Sequence, residues 1–365
     1  MQIDWLGNTS GKLLIAGPCS AESSQQMLQT AQGIASNFPS SILRAGSWKP
    51  RTRPGNFEGS GKEGLQWLRE AGLQTGLRTI TEVATPLHVE EAMRAGIDMF
   101  WVGARTTGNP FLVQELANAL RGTDVPVFVK NPLHPDLQLW LGGIERFQRS
   151  GLTKLAAIHR GFHAFENSGY RNVPRWQLVH TLKSIQPELP VICDISHIAG
   201  NTSLLASIAQ QAYDLDLEGL MIETHFAPEQ ALSDADQQIS PDELARIMSS
   251  LTPRVKSFEE TSAMEQVQRI RNSIDDIDKR LLDLLFDRVS LIEKLGELKC
   301  DNNVSVLQLD RWKKIIENAM SIARRHGLNE EFIRNVFIQI HDEAIRLQSQ
   351  MLQDFAERNT RETKD

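Results

Sequence analysis

Cysteine is scarce. The 365 residues hold three, Cys19, Cys193 and Cys300, too few and too far apart for a disulfide framework, and this points to a reducing compartment. Residues 1–10 lack a basic segment leading into an apolar one, and no run approaches the ~20 apolar residues that cross a bilayer. A secretory leader and a membrane span are therefore not expected. An excess of positive charge is also missing. With 39 Lys and Arg against 46 Asp and Glu the net charge is −7, so neither nucleic acid nor an anionic membrane is an expected partner. What remains is an ordinary globular composition, 41% hydrophobic and 23% charged, in a chain long enough for more than one domain. A cytoplasmic protein is expected.

Two periodicities divide the chain. Through residue 226, short Ile-, Val- and Leu-rich runs end in polar residues and lead into helical stretches. Eight such runs occur, at 13–20, 42–46, 75–82, 99–106, 125–131, 155–162, 189–196 and 219–225. Continuous rather than alternating hydrophobicity suits parallel strands covered on both faces. Eight βα units fit a (β/α)8 TIM barrel over residues 1–250. A doubly wound open sheet, the alternative α/β fold, usually has fewer strands, and no Gly-x-Gly-x-x-Gly turn follows the first run.

After a linker at 251–263, containing Pro253, the period becomes helical. Val267, Ile270, Ile274, Ile277, Leu281, Leu284 and Leu285 open an apolar stripe that continues to Leu298 without a proline. A helix over 264–299 would be about 50 Å long and needs partner helices. Two more are expected, at 309–325 and 330–355, separated by His326-Gly327. The second domain is thus an all-α three-helix unit, 264–356, followed by a polar tail, 357–365, expected to be disordered.

In barrels the active site forms where strands end. Cys19, Arg44, Arg105, Lys130, His159-Arg160, Asp194, His197, Glu223 and His225 all fall at such ends, with Lys49-Pro50-Arg51-Thr52 in the loop after the second strand and Asp234 beyond the eighth. They separate into two sets. Cys19, His197, Glu223 and Asp234 offer a thiol, an imidazole and two carboxylates, a donor set of mixed softness open to Mn2+, Fe2+, Zn2+ or Co2+. Arg44, Lys49, Arg51, Arg105, Lys130 and Arg160 converge as cations, the arrangement that recognises phosphorylated anions. Six cations, a divalent metal and three ionised ligands leave about +5, which roughly balances two phosphate esters of about −3 and −2. A small monoanion would leave most of that charge uncompensated.

The stretches Ala16-Gly17-Pro18-Cys19-Ser20, Arg44 with Lys49-Pro50-Arg51-Thr52, Val102-Gly103-Ala104-Arg105, Lys130, His159-Arg160-Gly161, Asp194-Ile195-Ser196-His197 and Glu223 with Leu232-Ser233-Asp234 carry a resemblance. Residues 10–245 resemble the short-barrel (type Iβ) 3-deoxy-D-arabino-heptulosonate-7-phosphate synthases. The resemblance implies condensation of phosphoenolpyruvate with erythrose 4-phosphate, releasing phosphate. It implies metal ligation, most readily Mn2+, by Cys19, His197, Glu223 and Asp234. Arg44, Lys49, Arg105, Lys130 and Arg160 would bind phosphoenolpyruvate, with Lys49 placed for proton transfer, and Arg51 and Thr52 would take the erythrose phosphate. Asn131-Pro132 stands where many relatives have arginine and glycine, and Arg53 follows the Lys-Pro-Arg-Thr motif. The nearest alternative chemistry is 3-deoxy-8-phosphooctulonate synthase, whose aldehyde is arabinose 5-phosphate; Lys-Pro-Arg-Thr favours the four-carbon aldehyde.

In the helical half, Arg288 and Lys299 lie three turns apart on one face, whereas Arg271 lies about 25 Å from Arg288 along the axis. One rigid helix cannot bring both to a small ligand; two antiparallel copies can. Residues 264–353 resemble the all-helical chorismate mutases, through Arg271, Arg288, Lys299, Arg311 and Gln348. The resemblance implies a homodimer in which arginines clamp the carboxylates of chorismate. Lys299 and Gln348 would hydrogen-bond the ether oxygen that gains charge as the bond breaks. Trp312 replaces a frequent glutamate, Ala344 a serine and Gln308 a frequent aspartate. An alternative role is sensing of chorismate or prephenate to regulate the barrel allosterically, and with the first strand near Leu13 no separate N-terminal regulatory domain is expected.

Overall fold

The computed structural model describes residues 4–6, 12–49, 57–164, 169–255 and 261–362. The chain forms two compact units, Met1–Lys256 and Ser257–Asp365. Among the described residues no helix is long and apolar enough to cross a membrane.

The first unit is a closed parallel barrel of eight strands in sequence order. They are β1 (Leu13–Gly17), β2 (Ile42–Arg44), β3 (Arg78–Val83), β4 (Met99–Val102), β5 (Val127–Lys130), β6 (Leu155–His159), β7 (Val191–Asp194) and β8 (Gly219–Glu223). Closure pairs Leu13 with Gly219 and Gly17 with Glu223. The third strand starts later than its apolar run suggests, because the preceding helix Gly61–Thr75 consumes the run's first residue.

Each strand splits its side chains between two cores, as a period of two requires. Ile15, Ile42, Ile80, Trp101, Phe128, Ile158, Ile192 and Met221 fill the barrel interior. Leu14, Leu43, Phe100, Val129, Ala157 and Leu220 pack outward against the helices. This double burial is why the strands read as unbroken apolar runs. Carried to the strand ends, the inward set becomes Gly17, Arg44, Glu82, Trp101, Lys130, Asp194 and Glu223. The top interior layer is therefore polar, and it is the floor of the rim where the chemistry-bearing residues collect. Gly17 leaves room for this layer. Its φ is +146°, and a Cβ there would lie 2.2 Å from the Arg44 carbonyl oxygen.

His159, of the opposite parity, is fully buried beside the rings of Trp140, Phe162 and Trp176, with centroids 6.3, 5.8 and 5.0 Å away. Burial drives its pKa down to about 3, against the pull of the Pro174 carbonyl, and Arg160 lowers it further. The unfolded chain protonates this imidazole near pH 6.5, so from there down to about pH 3 unfolding takes up a proton that the native barrel excludes. Stability should fall with falling pH across that window, by at most about 1.4 kcal/mol per pH unit from this group. His159→Phe is expected to shrink the loss between pH 7 and pH 5 by about 2 kcal/mol. Urea unfolding followed by tryptophan fluorescence checks it, since six of the seven tryptophans lie in the barrel sequence; equal losses in both proteins would refute it.

The second unit consists of a long helix, Thr261–Asp301, a second, Leu309–Arg325, and a third, Glu330–Glu362. The tail expected to be disordered from 357 is instead helical through Glu362. No glycine or proline follows Glu330, and Glu, Arg and Gln propagate a helix readily. The long helix also starts at Thr261, inside the stretch 251–263 expected to be linker. The long and third helices approach closely at Gly296, where a Cβ would meet Met351 Sδ at 2.7 Å.

Candidate functional site

Three of the four expected metal ligands, Cys19, Glu223 and Asp234, present donor atoms all within 4.8 Å of one another. Cys19 follows β1, Glu223 ends β8, and Asp234 opens a short 3-10 turn, Ala235–Gln237. Asp234 takes the left-handed conformation (φ 48°), which a short polar side chain tolerates best after glycine. His197 stands beside them, its Nδ1 4.0 Å from Glu223 Oε1.

The strand end positions His197. Asp194 ends β7 and caps the helical turn Ile195–Ala199, accepting from the His197 backbone N–H at 3.3 Å. The same carboxylate holds His197 Nδ1 at 3.0 Å, leaving Nε2 for a ligand bond, and takes Lys130 Nζ at 2.7 Å. Burial lowers the His197 pKa, so the ring is neutral at pH 7 and offers a lone pair. Burial works to raise the Asp194 pKa, but His197, Lys130 and Arg44 outweigh it and hold it well below the carboxylate range.

Charge around Cys19 is similarly arranged. Burial, then the Glu223 carboxylate, push the thiol up to about 11, although Lys49 Nζ lies only 3.1 Å from Sγ. Burial also works to raise the Glu223 pKa, but Arg44 at 3.1 Å, with His197 and Lys49, holds that group ionised. Gln237 donates to Glu223 Oε2 at 2.6 Å, and Oε1 has no hydrogen bond among the described residues. A buried thiol between two carboxylates beside a neutral imidazole fits a divalent cation, whose field would reverse the rise in the thiol pKa.

Of the expected cations, Arg44 and Lys49 touch this cluster and Lys130 reaches it through Asp194. Arg44 and Lys130 are 1% and 4% exposed, and Arg44 Nε and Nη1 have no hydrogen-bond partner among the described residues. Arg160 donates to Asn172 Oδ1 at 2.8 Å, and burial, with Arg171 and Arg105 adding to it, takes its pKa down to about 10. These guanidinium groups repel one another in the absence of an anion. Arg105 is exposed on the turn Ala104–Thr107. Arg51 and Thr52 lie outside the described residues, as does Arg53.

Several residues that build the site carry no signal in the sequence. Asn172 bridges Arg160 to the His197 carbonyl, donating to it at 2.6 Å. Asn131 accepts from the Arg160 backbone N–H at 2.7 Å and donates to the Gly161 carbonyl at 2.8 Å, which accounts for an asparagine at that departure from the family pattern. Arg171 reaches Asp234 at 3.2 Å and Gln237 at 2.6 Å. Each is a bond between distant loops, visible only after folding.

In the helical unit, Arg271, Arg288 and Lys299 lie on the long helix, Arg311 in the first turn of the second and Gln348 on the third. Lys299 and Gln348 are 7% and 5% exposed. Lys299 Nζ donates to the Val306 carbonyl at 2.7 Å, and Arg288 donates to that of Ile340 at 3.4 Å. Gln348 Oε1 has no hydrogen-bond partner among the described residues. Burial lowers the pKa of both Arg288 and Lys299. Arg271 and Arg311 are exposed. Trp312 stacks on His341, centroids 4.1 Å apart and planes 11° from parallel.

The sequence profile of the DAHP synthetase I family matches residues 4–257, more than half of the chain. The chain belongs to the DAHP synthetase I family. The chorismate mutase type II profile matches residues 270–349, so a DAHP synthetase I barrel is followed here by a chorismate mutase type II domain. The phospho-2-dehydro-3-deoxyheptonate aldolase of Thermotoga maritima is 31% identical over 226 residues, covering 62% of this chain and 64% of the relative. Its crystal structure superposes with a TM-score of 0.60 at 28% identity, over 67% of this chain and 70% of that one. The bifunctional chorismate mutase/prephenate dehydratase of Buchnera aphidicola subsp. Acyrthosiphon pisum is 29% identical over 89 residues, 24% of this chain. The chain thus spans somewhat under two thirds of the first relative and 23% of the second.

Proposed function

We propose that the barrel condenses phosphoenolpyruvate with D-erythrose 4-phosphate to 3-deoxy-D-arabino-heptulosonate 7-phosphate, and that the helical unit rearranges chorismate to prephenate. The barrel reading is carried by the Cys19, Glu223 and Asp234 cluster facing Arg44, Lys49 and Lys130. Cys19, His197, Glu223 and Asp234 would hold a divalent metal, Mn2+ foremost, with Fe2+, Zn2+ and Co2+ as alternatives. When bound, it supplies Lewis acidity at the aldehyde oxygen. Arg44 offers its unpartnered Nε and Nη1 to an anionic oxygen, Arg105, Lys130 and Arg160 add positive charge for the phosphoenol and carboxylate groups, and Lys49 relays the proton. Arg51 and Thr52 are assigned to the erythrose phosphate on the family pattern alone. Holding two anions face to face against fixed cations supplies orientation and charge stabilisation together.

For the helical unit, the support is the buried Lys299 and Gln348 with the half-buried Arg288. Two copies paired through the long helix complete this reading. Ile270, Ile274, Ile277, Leu281, Leu284 and Leu285 are each 39% or more exposed on that helix. Covering each contributes up to about 1.5–3 kcal/mol. The partner copy's long helix would then bring Arg271 to the pocket that its own chain cannot reach. Both reactions serve aromatic amino-acid synthesis, and a cytoplasmic protein is the reading this supports, with the three buried unpaired thiols in favour. A second reading, in which the helical unit senses chorismate or prephenate and biases the barrel, draws support from Trp312 on His341 and from Ala344, which offers no hydroxyl.

Two assays on one sample test the proposal. Phosphoenolpyruvate consumption should require erythrose 4-phosphate, stop with a chelator and return with Mn2+, while chorismate consumption continues through the chelation. Consumption with arabinose 5-phosphate in place of erythrose 4-phosphate would replace the barrel assignment by the eight-carbon reaction. Synthase kinetics indifferent to prephenate would remove the sensing role.

A further inference from the structure

Apart from Gly17, one inward residue of the top barrel layer is neither a ligand type nor a cation. Trp101 on β4 is fully buried, and two site cations rest over its ring. Arg44 Cζ lies 4.9 Å and Lys130 Nζ 5.5 Å from the ring centroid. The two cations come from β2 and β5, on either side of β4. The ring edge is fixed as well. Nε1–H donates to Glu82 Oε2 at 3.1 Å, from the residue paired with Trp101 in the β3–β4 register. The backbone leaves room for that acceptor, since a Cβ on Gly103 would lie 2.0 Å from Glu82 Oε1.

An aromatic face does something here that a carboxylate cannot. It stabilises a desolvated cation from below without occupying a donor N–H. The carboxylates take one edge of each cation, Glu223 that of Arg44 and Asp194 that of Lys130. The ring supports the remainder, and Arg44 Nε and Nη1 stay unpartnered among the described residues. A carboxylate in place of the ring would have tied up those donors and cancelled the charge that an anionic substrate needs.

We propose that Trp101 is a positioning residue for phosphoenolpyruvate: its ring, locked by Glu82, holds Arg44 and Lys130 charged, dry and directed toward the substrate anion. This inference rests on the synthase reading of the barrel. Titration of the metal-loaded wild-type protein with phosphoenolpyruvate tests that reading first; no binding there ends the reading itself.

Given binding, Trp101→Leu should raise KM for phosphoenolpyruvate about tenfold. KM for erythrose 4-phosphate and kcat should change less than about twofold, since the lost contact is to the phosphoenolpyruvate cations alone. Trp101→Phe keeps a π face without the N–H and should show a smaller rise. Labelling with fluorinated tryptophan weakens the ring's negative face at nearly constant volume. It should raise the phosphoenolpyruvate KM in the wild type and leave that of labelled Trp101→Phe unchanged, a difference that core filling does not produce. Unchanged phosphoenolpyruvate KM in Trp101→Phe together with no fluorination effect would overturn the inference, as would equal fluorination effects in wild type and Trp101→Phe. These readouts decide the matter even where Trp101→Leu does not fold.

Discussion

Replacement of Cys19 by alanine is expected to lower heptulosonate-phosphate formation by more than about 100-fold, the upper range for removing a group that merely supports a metal ligand. The thiol is 1% exposed and shares its cluster with Glu223 and Asp234, so no solvent-borne donor can easily take its place. Without it, the buried Glu223, the half-buried Asp234 and an imidazole must hold the ion beside Arg44 and Lys49, which repel it. Bound metal per chain should fall in parallel, measured on protein dialysed at micromolar Mn2+. Chorismate consumption should not change, because the substitution lies in the other unit. A Cys19→Ala protein with full metal content and full synthase turnover would remove the thiol from the site and with it the metal assignment.

The barrel was legible because its strands are buried on both faces. Ile15 and Leu14 enter different cores, yet both read as apolar, and a run of such residues followed by a charge marks a strand and its end. The same parity explains why Arg44, Lys130 and Glu223 were found: each is a charged residue ending an apolar run. Glu82 and Trp101 escaped for complementary reasons. Trp101 is apolar inside an apolar run, and Glu82 is one carboxylate among many, so their joint role emerges only in the register that pairs them. Asn131, Asn172 and Gln237 are amides in loops, where such residues are common, and their work is done through hydrogen bonds to partners 12 to 30 residues away.

Asp194 is a middle case. Its place at a strand end was plain, but its task was not. It binds Lys130 and orients His197 at once, linking a proposed substrate cation to a proposed metal ligand through one carboxylate. The bounds of the helices in the second unit were read from the apolar period. Its third helix outran that reading because composition suggested solvation while local propensity favours a helix, and with no breaker after Glu330 propensity prevails through Glu362.

Lys299→Met is expected to cut chorismate turnover by about 10²–10³-fold, the cost of removing one donor aimed at developing negative charge in a dry site. The side chain is 7% exposed and at rest gives its Nζ to the Val306 carbonyl at 2.7 Å. That neutral acceptor can be exchanged for a substrate oxygen as charge grows there, whereas a carboxylate partner would compete. Methionine keeps the length of the stem and the packing of its methylenes, so the loss should fall on kcat more than on the unit's stability. Gln348→Leu removes the second donor and should act on the same step, so the double substitution should cost less than the product of the two single losses. The comparison also separates the two readings of the helical unit. A catalyst loses turnover in Lys299→Met while ligand binding falls only modestly, because the ground-state ether is a weak acceptor. A sensor has little turnover to lose even in the wild type, and Lys299→Met then alters only the response of the barrel to added prephenate.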